Sequence, residues 1–268
     1  MVGTLIFYVI PMLISLIYSF SQGFGEFKFV GFANYISLFQ NEAFLLALKN
    51  TGLFSVIALP TVIFLSLLFA LLLNKSLHCF SFFRSAMIYP MIIPTASVIL
   101  VWQLIFRDDG IINGFLNQIG VEPISFLNGP PAIWIISALF VWKNMGYNVI
   151  LFLAGLNSIP DELEEAARID GASGFRIFRK ITLPLLMPTV FFVTLISIIN
   201  SMKIFREVYL LGGNYPYEGF YFLQNFMNNN FENLNYSRLA TASNIICVIA
   251  ALVMIFLFYR ERKSNYLE

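Results

Sequence analysis

The sequence has little charge. Only 12% of its 268 residues are Asp, Glu, Lys or Arg, whereas 59% are hydrophobic and 30 are Phe. The mean hydropathy is +0.78. A soluble domain is about half apolar and about a quarter charged, and its surface needs polar cover. The composition therefore argues against a soluble enzyme and against a disordered chain, and it favours a polytopic membrane protein.

Side chains that carry catalytic or metal chemistry are also scarce. The sequence contains two cysteines, Cys79 and Cys247, and one histidine, His78. This set supports no disulfide framework, no metal site and no histidine-based triad, so we expect no catalytic residue and no metal ligand in the chain. The net charge of +1 gives no indication of nucleic-acid binding.

Long apolar segments are abundant. A membrane span needs about 20 mainly apolar residues to cross about 30 Å of hydrocarbon. Pro90 and Pro94 lie in the third of the segments that qualify, and they predict a kinked helix there. The segments predict an all-α protein with six transmembrane helices, at Gly3–Phe20, Thr51–Leu73, Ala86–Phe106, Ala132–Leu156, Leu183–Phe205 and Leu239–Tyr259.

The distribution of Lys and Arg between the short loops predicts the orientation. The four cations of one side are Lys28, Lys49, Arg107 and Arg238. The nine of the other side are Lys75, Arg84, Arg168, Arg176, Arg179, Lys180, Arg260, Arg262 and Lys263. The side with more cations should be cytoplasmic, which places both termini in the cytoplasm and segments 21–50, 107–131 and 206–238 outside.

The polar loop between the fourth and fifth spans predicts two short helices. Ser158 is a candidate cap for the first, and Pro160 fits its first turn. Leu163, Ala166 and Ala167 recur at helical spacing and would form one apolar stripe of mostly small residues. Gly171 should end this helix, and Ser173 is a candidate cap for the second.

The same loop resembles a known motif. The sequence satisfies the pattern EAA-x3-G-x9-I-x-LP of binding-protein-dependent ABC importer permeases at every position. The matching residues are Glu165, Ala166, Ala167, Gly171, Ile181, Leu183 and Pro184, and Asp170 precedes the glycine. The resemblance implies that the loop at about 157–184 couples the chain to an ATPase. In that role Glu165 would make a polar contact, Ala166 and Ala167 would allow close packing, and Gly171 would permit the turn.

The resemblance covers nearly the whole chain and is closest to the MalF-like permeases of the maltose type, rather than to the MalG-like ones. It is carried by residues 29–39, 82–94, 102–120, 142–160 and 202–231. Residues 212–216 read GGNYP where the family usually has GGP, a small departure that bears on loop shape. The implied fold is a single type I ABC importer transmembrane domain (MetI-like) over residues 1–268.

The resemblance also implies a set of partners and a location. These are a second, MalG-like permease subunit, two ATP-binding subunits, an extracellular or periplasmic solute-binding protein, the carbohydrate substrate and membrane lipid. The chain has no G-x4-G-K-[ST] phosphate loop, so ATP and magnesium should be used by the partner ATPase and no cofactor should be bound here. The implied location is the bacterial cytoplasmic membrane.

Polar residues inside apolar spans are costly and are candidates for the substrate path. Amides and aromatic rings suit the hydroxyls and C–H faces of a sugar. Hydrogen bonding between helices and anchoring at the membrane interface remain open for each candidate. The candidates are Trp102, Gln103, Asn144, Tyr147, Asn148, Asn200 and Lys203.

Three cations at span ends have two open interpretations. Lys143, Lys203 and Arg206 could extend to the outer interface. Alternatively, Lys203 and Arg206 could form ion pairs with Glu207 near an outer gate.

The predicted function is the import of a carbohydrate, with an oligosaccharide as the expected cargo, by alternating access driven by a separate ATPase. Glycerol phosphate or a polyol is the alternative cargo, although a phosphate would favour Arg or Lys in the cavity and buried cations are scarce in the sequence. An ion-coupled secondary transporter would need acidic groups in its spans, and none of the six predicted spans contains Asp or Glu.

Overall fold

The computed structural model describes residues 2–22, 28–74 and 80–265. The predicted cytoplasmic Lys75, as well as His78 and Cys79, lies outside these residues. The all-α prediction is confirmed, apart from a two-stranded antiparallel pairing of β1, Ser21–Gln22, with β2, Lys28–Phe29. In that pairing Ser21 lies opposite Phe29 and Gln22 opposite Lys28.

Fourteen α-helices occur in the described residues. The first seven are α1 Val2–Thr4, α2 Ile10–Ser19, α3 Ala33–Phe39, α4 Glu42–Leu73, α5 Phe80–Ile92, α6 Thr95–Phe106 and α7 Ile111–Gln118. The others are α8 Ala132–Leu156, α9 Asp161–Ile169, α10 Gly174–Ile177, α11 Leu183–Ser201, α12 Phe205–Gly212, α13 Leu223–Glu232 and α14 Tyr236–Asn265. Two π-helical segments, Leu5–Val9 and Phe178–Thr182, and one 3₁₀ turn, Glu218–Phe220, complete the elements.

The described residues contain four helical stretches that are long and apolar enough to cross a membrane. They are Glu42–Leu73, Ala132–Leu156, Gly174–Gly212 and Tyr236–Tyr259. The first predicted span corresponds to the shorter apolar helix Leu5–Ser19, and the third to a bent pair of helices. The structure therefore supports a multi-span membrane protein with four or five full-length spans, and the count of six stays a prediction.

The third predicted span is not one kinked helix. Ala86–Ile92 and Thr95–Gln118 enclose an angle of 103°. Pro94 occupies the N-cap of α6 with extended backbone, φ −53° and ψ 131°, so the chain leaves the helical conformation before it and starts a new helix after it. Pro90 lies inside α5 without ending it. The predicted kink is therefore located correctly at Pro94, but the bend is much larger than a kink.

The described residues form two compact units, Phe54–Glu207 with Leu257–Glu268 and Met1–Leu53 with Val208–Phe256. In the first, leucines and phenylalanines of α4, α8 and α11 form the apolar core, with Phe152 of α8 fully buried in it. Two glycines on α8 allow close helix contacts, as small residues do in membranes. A Cβ at Gly146 would overlap the Met87 carbonyl of α5, and one at Gly155 would overlap Thr189 of α11.

The second compact unit has a core in which Phe44 and Ala47 of α4 pack with Phe226 of α13 and Ala242 of α14. Polar side chains of α4 form hydrogen bonds with backbone groups of the neighbouring loop. The Asn50 amide donates to the carbonyls of Glu218 and Tyr221 at 2.6 and 3.1 Å. Burial of the Tyr221 hydroxyl raises its pKa above the ordinary value, although a hydrogen bond from Asn229 lowers it in part.

Candidate coupling helix and translocation cavity

The first loop helix, α9, begins two residues later than a Ser158 cap would require. Pro160 is its N-cap with extended backbone, and the first turn carries Asp161, Glu162 and Glu164 at the positive end of the helix dipole. The Ser158 hydroxyl donates to the Gly155 carbonyl at 2.7 Å. The predicted Ser158 cap is therefore wrong, because this serine belongs to the end of α8 and satisfies an orphan carbonyl there.

Gly171 ends α9 as predicted. Its φ is +79°, a left-handed conformation. The Ala172 N–H donates to the Ala167 carbonyl and the Gly171 N–H to the Arg168 carbonyl, both at 3.0 Å. These two bonds form a Schellman motif. A Cβ at Gly171 would meet no atom within 4 Å, so the need for glycine comes from the backbone conformation and not from crowding.

The second half of the loop leads into α11. Ser173 occupies the N-cap of α10, but its side chain makes no capping hydrogen bond. A π-helical turn, Phe178–Thr182, joins α10 to α11, and Pro184 lies just after this turn, inside the continuous helical stretch Gly174–Gly212. Of the predicted motif residues in this half, Ile181, Leu183 and Pro184 are half-buried.

The two faces of α9 differ. Glu164 and Ala167 are half-buried toward the chain, and the Thr182 hydroxyl donates to the Glu164 carboxylate at 2.9 Å. Leu163 is 43% exposed and Ile169 is 86% exposed. The predicted motif residues Glu165, Ala166 and Asp170 are also exposed. The predicted stripe is thus divided, because Ala167 turns toward its own chain while Leu163 and Ala166 face outward with Ile169.

A cavity of about 140 Å³, lined by both apolar and polar side chains, lies between α5, α8, α11 and α12. Asn144 and Asn200 line it, and the Asn200 amide donates to the Asn144 side-chain oxygen at 3.2 Å. Lys203 is exposed at its edge. The structure therefore brings together three of the residues predicted for the substrate path.

An ion pair that the sequence did not predict borders this cavity. The Lys143 ammonium donates to the Glu207 carboxylate and, at 2.8 Å, to the Thr95 hydroxyl. The side chains of Lys143 and Glu207 are only 16% and 10% exposed. Lys143 therefore does not extend to an interface, and Glu207 pairs with it and not with Lys203 or Arg206. The sequence offered Glu207 as a partner of Lys203 and Arg206, its neighbours along the chain, and not of Lys143, which is 64 positions away.

Four other candidates for the substrate path lie away from the cavity. Trp102 stacks on Phe106, with ring centroids 5.2 Å apart, and lines an apolar pocket with its helix neighbours. Gln103 lies beside it in α6, and Tyr147 is half-buried in α8. Asn148 is 1% exposed and donates to the Ser197 hydroxyl at 2.9 Å. For Asn148 the helix-to-helix alternative therefore holds in this structure.

Comparison with known proteins identifies the family. The family described as "Binding-protein-dependent transport system inner membrane component" matches residues 53–261. The chain belongs to this family. The lactose transport system permease protein LacF of Rhizobium radiobacter is 33% identical over 270 residues, which cover 96% of this chain and 90% of LacF.

A second relative and a solved structure extend the likeness. The sn-glycerol-3-phosphate transport system permease protein UgpA of Agrobacterium fabrum is 32% identical over 243 residues, 89% of this chain and 83% of UgpA. The crystal structure of a bacterial alginate ABC transporter in complex with an alginate pentasaccharide-bound periplasmic protein contains a chain that is 26% identical. The TM-score is 0.83, and the match covers 98% of this chain and 91% of that chain.

Family membership confirms four predictions. The chain is a multi-pass membrane component of an ABC importer, it has the MetI-like all-α transmembrane fold, its relatives are MalF-like sugar permeases, and it is a transport subunit and not an enzyme. Lys143, Lys203 and Arg206 all line the cavity, and of these Lys203 and Arg206 are exposed.

Proposed function

We propose that this chain moves an oligosaccharide across the cytoplasmic membrane by alternating access, driven by a separate ATPase. The observation that carries the proposal is the cavity between α5, α8, α11 and α12. Its hydrogen-bonded amides, Asn144 and Asn200, carry the kinds of donor and acceptor that bind sugar hydroxyls. Lactose and alginate in the names of two matched proteins support a carbohydrate.

The free energy for transport would enter through α9. An ATPase groove would contact its exposed face at Leu163, Ala166 and Ile169, with Glu165 and Asp170 at the margin. Closure of the ATPase pair would move α9, and the bond from Thr182 to Glu164 would transmit the movement to α11, which borders the cavity. Ala167 would contact its own chain and not the ATPase, and its small side chain would allow α9 to lie close to the rest of the loop.

The full assembly would contain a second, MalG-like permease subunit, two ATP-binding subunits and a solute-binding protein. ATP and magnesium would be bound by the ATP-binding subunits. Both termini and α9 would face the cytoplasm, in accordance with the distribution of Lys and Arg between the loops. The matched transporter in complex with a periplasmic binding protein supports this arrangement in general.

Glycerol phosphate remains the second candidate cargo, because UgpA matches nearly as well as LacF and because cations line the cavity. The test is uptake by the assembled transporter in proteoliposomes that contain ATP. We expect labelled oligosaccharide to accumulate only with ATP inside and the binding protein outside. Accumulation of glycerol 3-phosphate but of no saccharide would contradict the proposed cargo.

A further inference from the structure

The cavity carries more positive than negative charge. Three cationic side chains, those of Lys143, Lys203 and Arg206, line it, whereas Glu207 is its one acidic lining residue among the described residues. Lys143 is neutralised by its contact with Glu207. The two remaining cations therefore set the electrostatic character of the cavity.

Among the described side chains, which are those of residues 3–22, 28–74 and 86–259, none forms an ion pair with Lys203 or Arg206. Both cations are exposed at the cavity. They are three positions apart, with Lys203 in the turn between α11 and α12 and Arg206 in the first turn of α12. Two adjacent unpaired cations repel each other, so an anion placed between them would relieve the repulsion as well as gain two charge-assisted hydrogen bonds.

The amides lie beside these cations. Asn144 and Asn200 line the same cavity, so a ligand could present hydroxyls to the amides and an anionic group to Lys203 and Arg206. The guanidinium of Arg206 has a fork of donors that suits a carboxylate, sulfate or phosphate, and an ammonium acts as a point charge on the same group.

We infer that the cargo is an anionic saccharide or polyol, whose carboxylate, sulfate or phosphate binds Lys203 and Arg206 while its hydroxyls bind Asn144 and Asn200. The inference rests on the proposed role of the cavity in transport. It narrows the substrate class from carbohydrates in general to acidic ones, and it makes Lys203 and Arg206 specificity-determining residues.

The first experiment measures equilibrium binding to the purified assembled transporter. The probes are an oligouronate, glycerol 3-phosphate and neutral maltotriose. The variant K203Q/R206Q removes both free charges, and K49Q is a matched control because Lys49 is an exposed cation of α4 outside the cavity. Loss of two charge-assisted bonds should weaken anion binding by about tenfold or more in K203Q/R206Q, and K49Q should bind like the unaltered protein.

The second experiment measures ATP-driven uptake of the same probes into proteoliposomes, with the binding protein present. We expect uptake of at least one anionic probe to fall by about tenfold in K203Q/R206Q, while any neutral uptake changes less than about twofold. Higher salt should reduce the difference between the proteins, since the ions screen the exposed charges.

The outcomes separate the two proposals. Uptake of maltotriose together with no binding of either anion would overturn the inference and leave the saccharide proposal intact. Uptake of glycerol 3-phosphate alone would overturn the saccharide proposal and support anion recognition. An equal loss of neutral and anionic uptake in K203Q/R206Q would show that the cations serve the assembly or a lipid headgroup, and it would overturn the inference.

Discussion

Gly171 is the residue whose role follows most directly from backbone geometry. Its φ of +79° is a conformation that costs other residues free energy, and a methyl group there would meet no atom within 4 Å. Gly174, three positions later, has equally open space but not a left-handed φ. The two glycines therefore separate the effect of conformation from the effect of crowding.

We predict that Gly171→Ala lowers the free energy of unfolding by about 1 kcal/mol and reduces ATP-driven uptake, since α9 loses its defined end. Gly174→Ala should leave both nearly unchanged. Thermal unfolding in detergent and uptake in proteoliposomes measure the two effects. Equal behaviour of the two variants would show that the Schellman turn is not required.

The contact between Lys143 and Glu207 is the second feature at the scale of single residues. Both side chains are largely removed from solvent, at 16% and 10% exposure. Removal of one partner leaves an uncompensated charge, whereas removal of both leaves none. The sequence suggested Lys203 and Arg206 as partners of Glu207 because the three lie close together along the chain, whereas the contact with Lys143 depends on how α8 packs against α12.

We predict that Glu207→Gln destabilises the protein by about 3 kcal/mol, and that the double change Lys143→Met with Glu207→Gln restores much of the loss. The control is Asp109→Asn, since the pair of Arg107 and Asp109 is exposed and should contribute about 0–1 kcal/mol. Unfolding temperatures of the unaltered protein, the two single variants Lys143→Met and Glu207→Gln, the double variant and the control measure the coupling. Additive effects of the single changes would contradict the pair.

At the scale of elements, a partly buried hydrogen bond joins α9 to the π-helical turn that leads into α11. Thr182 is 4% exposed and donates to Glu164 on α9. Thr182→Val keeps the side-chain shape and removes this hydrogen bond. We predict that fewer molecules of substrate are transported per ATP hydrolysed, because α9 would move with less effect on α11.

The matched control for this contact is Thr194→Val, since the Thr194 hydroxyl bonds only to a carbonyl of its own helix, that of Val190 at 2.7 Å. It should leave the ratio of transport to ATP hydrolysis unchanged. A ratio that is the same in Thr182→Val, Thr194→Val and the unaltered protein would show that the Thr182 contact does not transmit movement.

Helix packing gives a further prediction. A Cβ at Gly146 would overlap the Met87 carbonyl, so Gly146→Ala should force α5 and α8 apart and reduce the yield of folded protein. Gly52→Ala, in α4 with no atom within 4 Å, should be neutral or stabilise by about 0.5 kcal/mol, because alanine favours a helix. Size-exclusion profiles and unfolding temperatures compare them. A normal profile and unfolding temperature for Gly146→Ala would contradict the close contact.

At the scale of the whole molecule, the sequence predicted the features that depend on the apolar length of a segment or on a local signal. It did not predict the features that depend on tertiary contacts. The bounds of α8, Ala132–Leu156, and the end of α9 at Gly171 agree with the sequence, since hydropathy and a glycine after a helix are local properties. The turn of 103° around Pro94 exceeds the predicted kink, because a proline pattern specifies where a helix breaks but not the direction of the next one.

The candidate site residues likewise divide into those whose place the sequence predicted and those whose place depends on tertiary packing. Asn144, Asn200 and Lys203 meet at the cavity, but Trp102 and Gln103 do not. The type of residue alone could not separate the two groups, since both contain polar residues within apolar spans. The position of Lys143 and the inward face of Ala167 depend on long-range packing between α8, α12 and the loop around α9.

Cross-linking tests most directly whether the exposed face of α9 receives the movement of an ATPase. The assembled transporter would carry Ile169→Cys in a background in which Cys79 and Cys247 are replaced by Ser. Ile119→Cys, which is also exposed but lies in a predicted outer segment, is the control. A coupling role predicts that Ile169→Cys cross-links to an ATP-binding subunit and that Ile119→Cys does not. Labelling of Ile169→Cys by an impermeant thiol reagent from outside, with no cross-link to an ATP-binding subunit, would contradict that role.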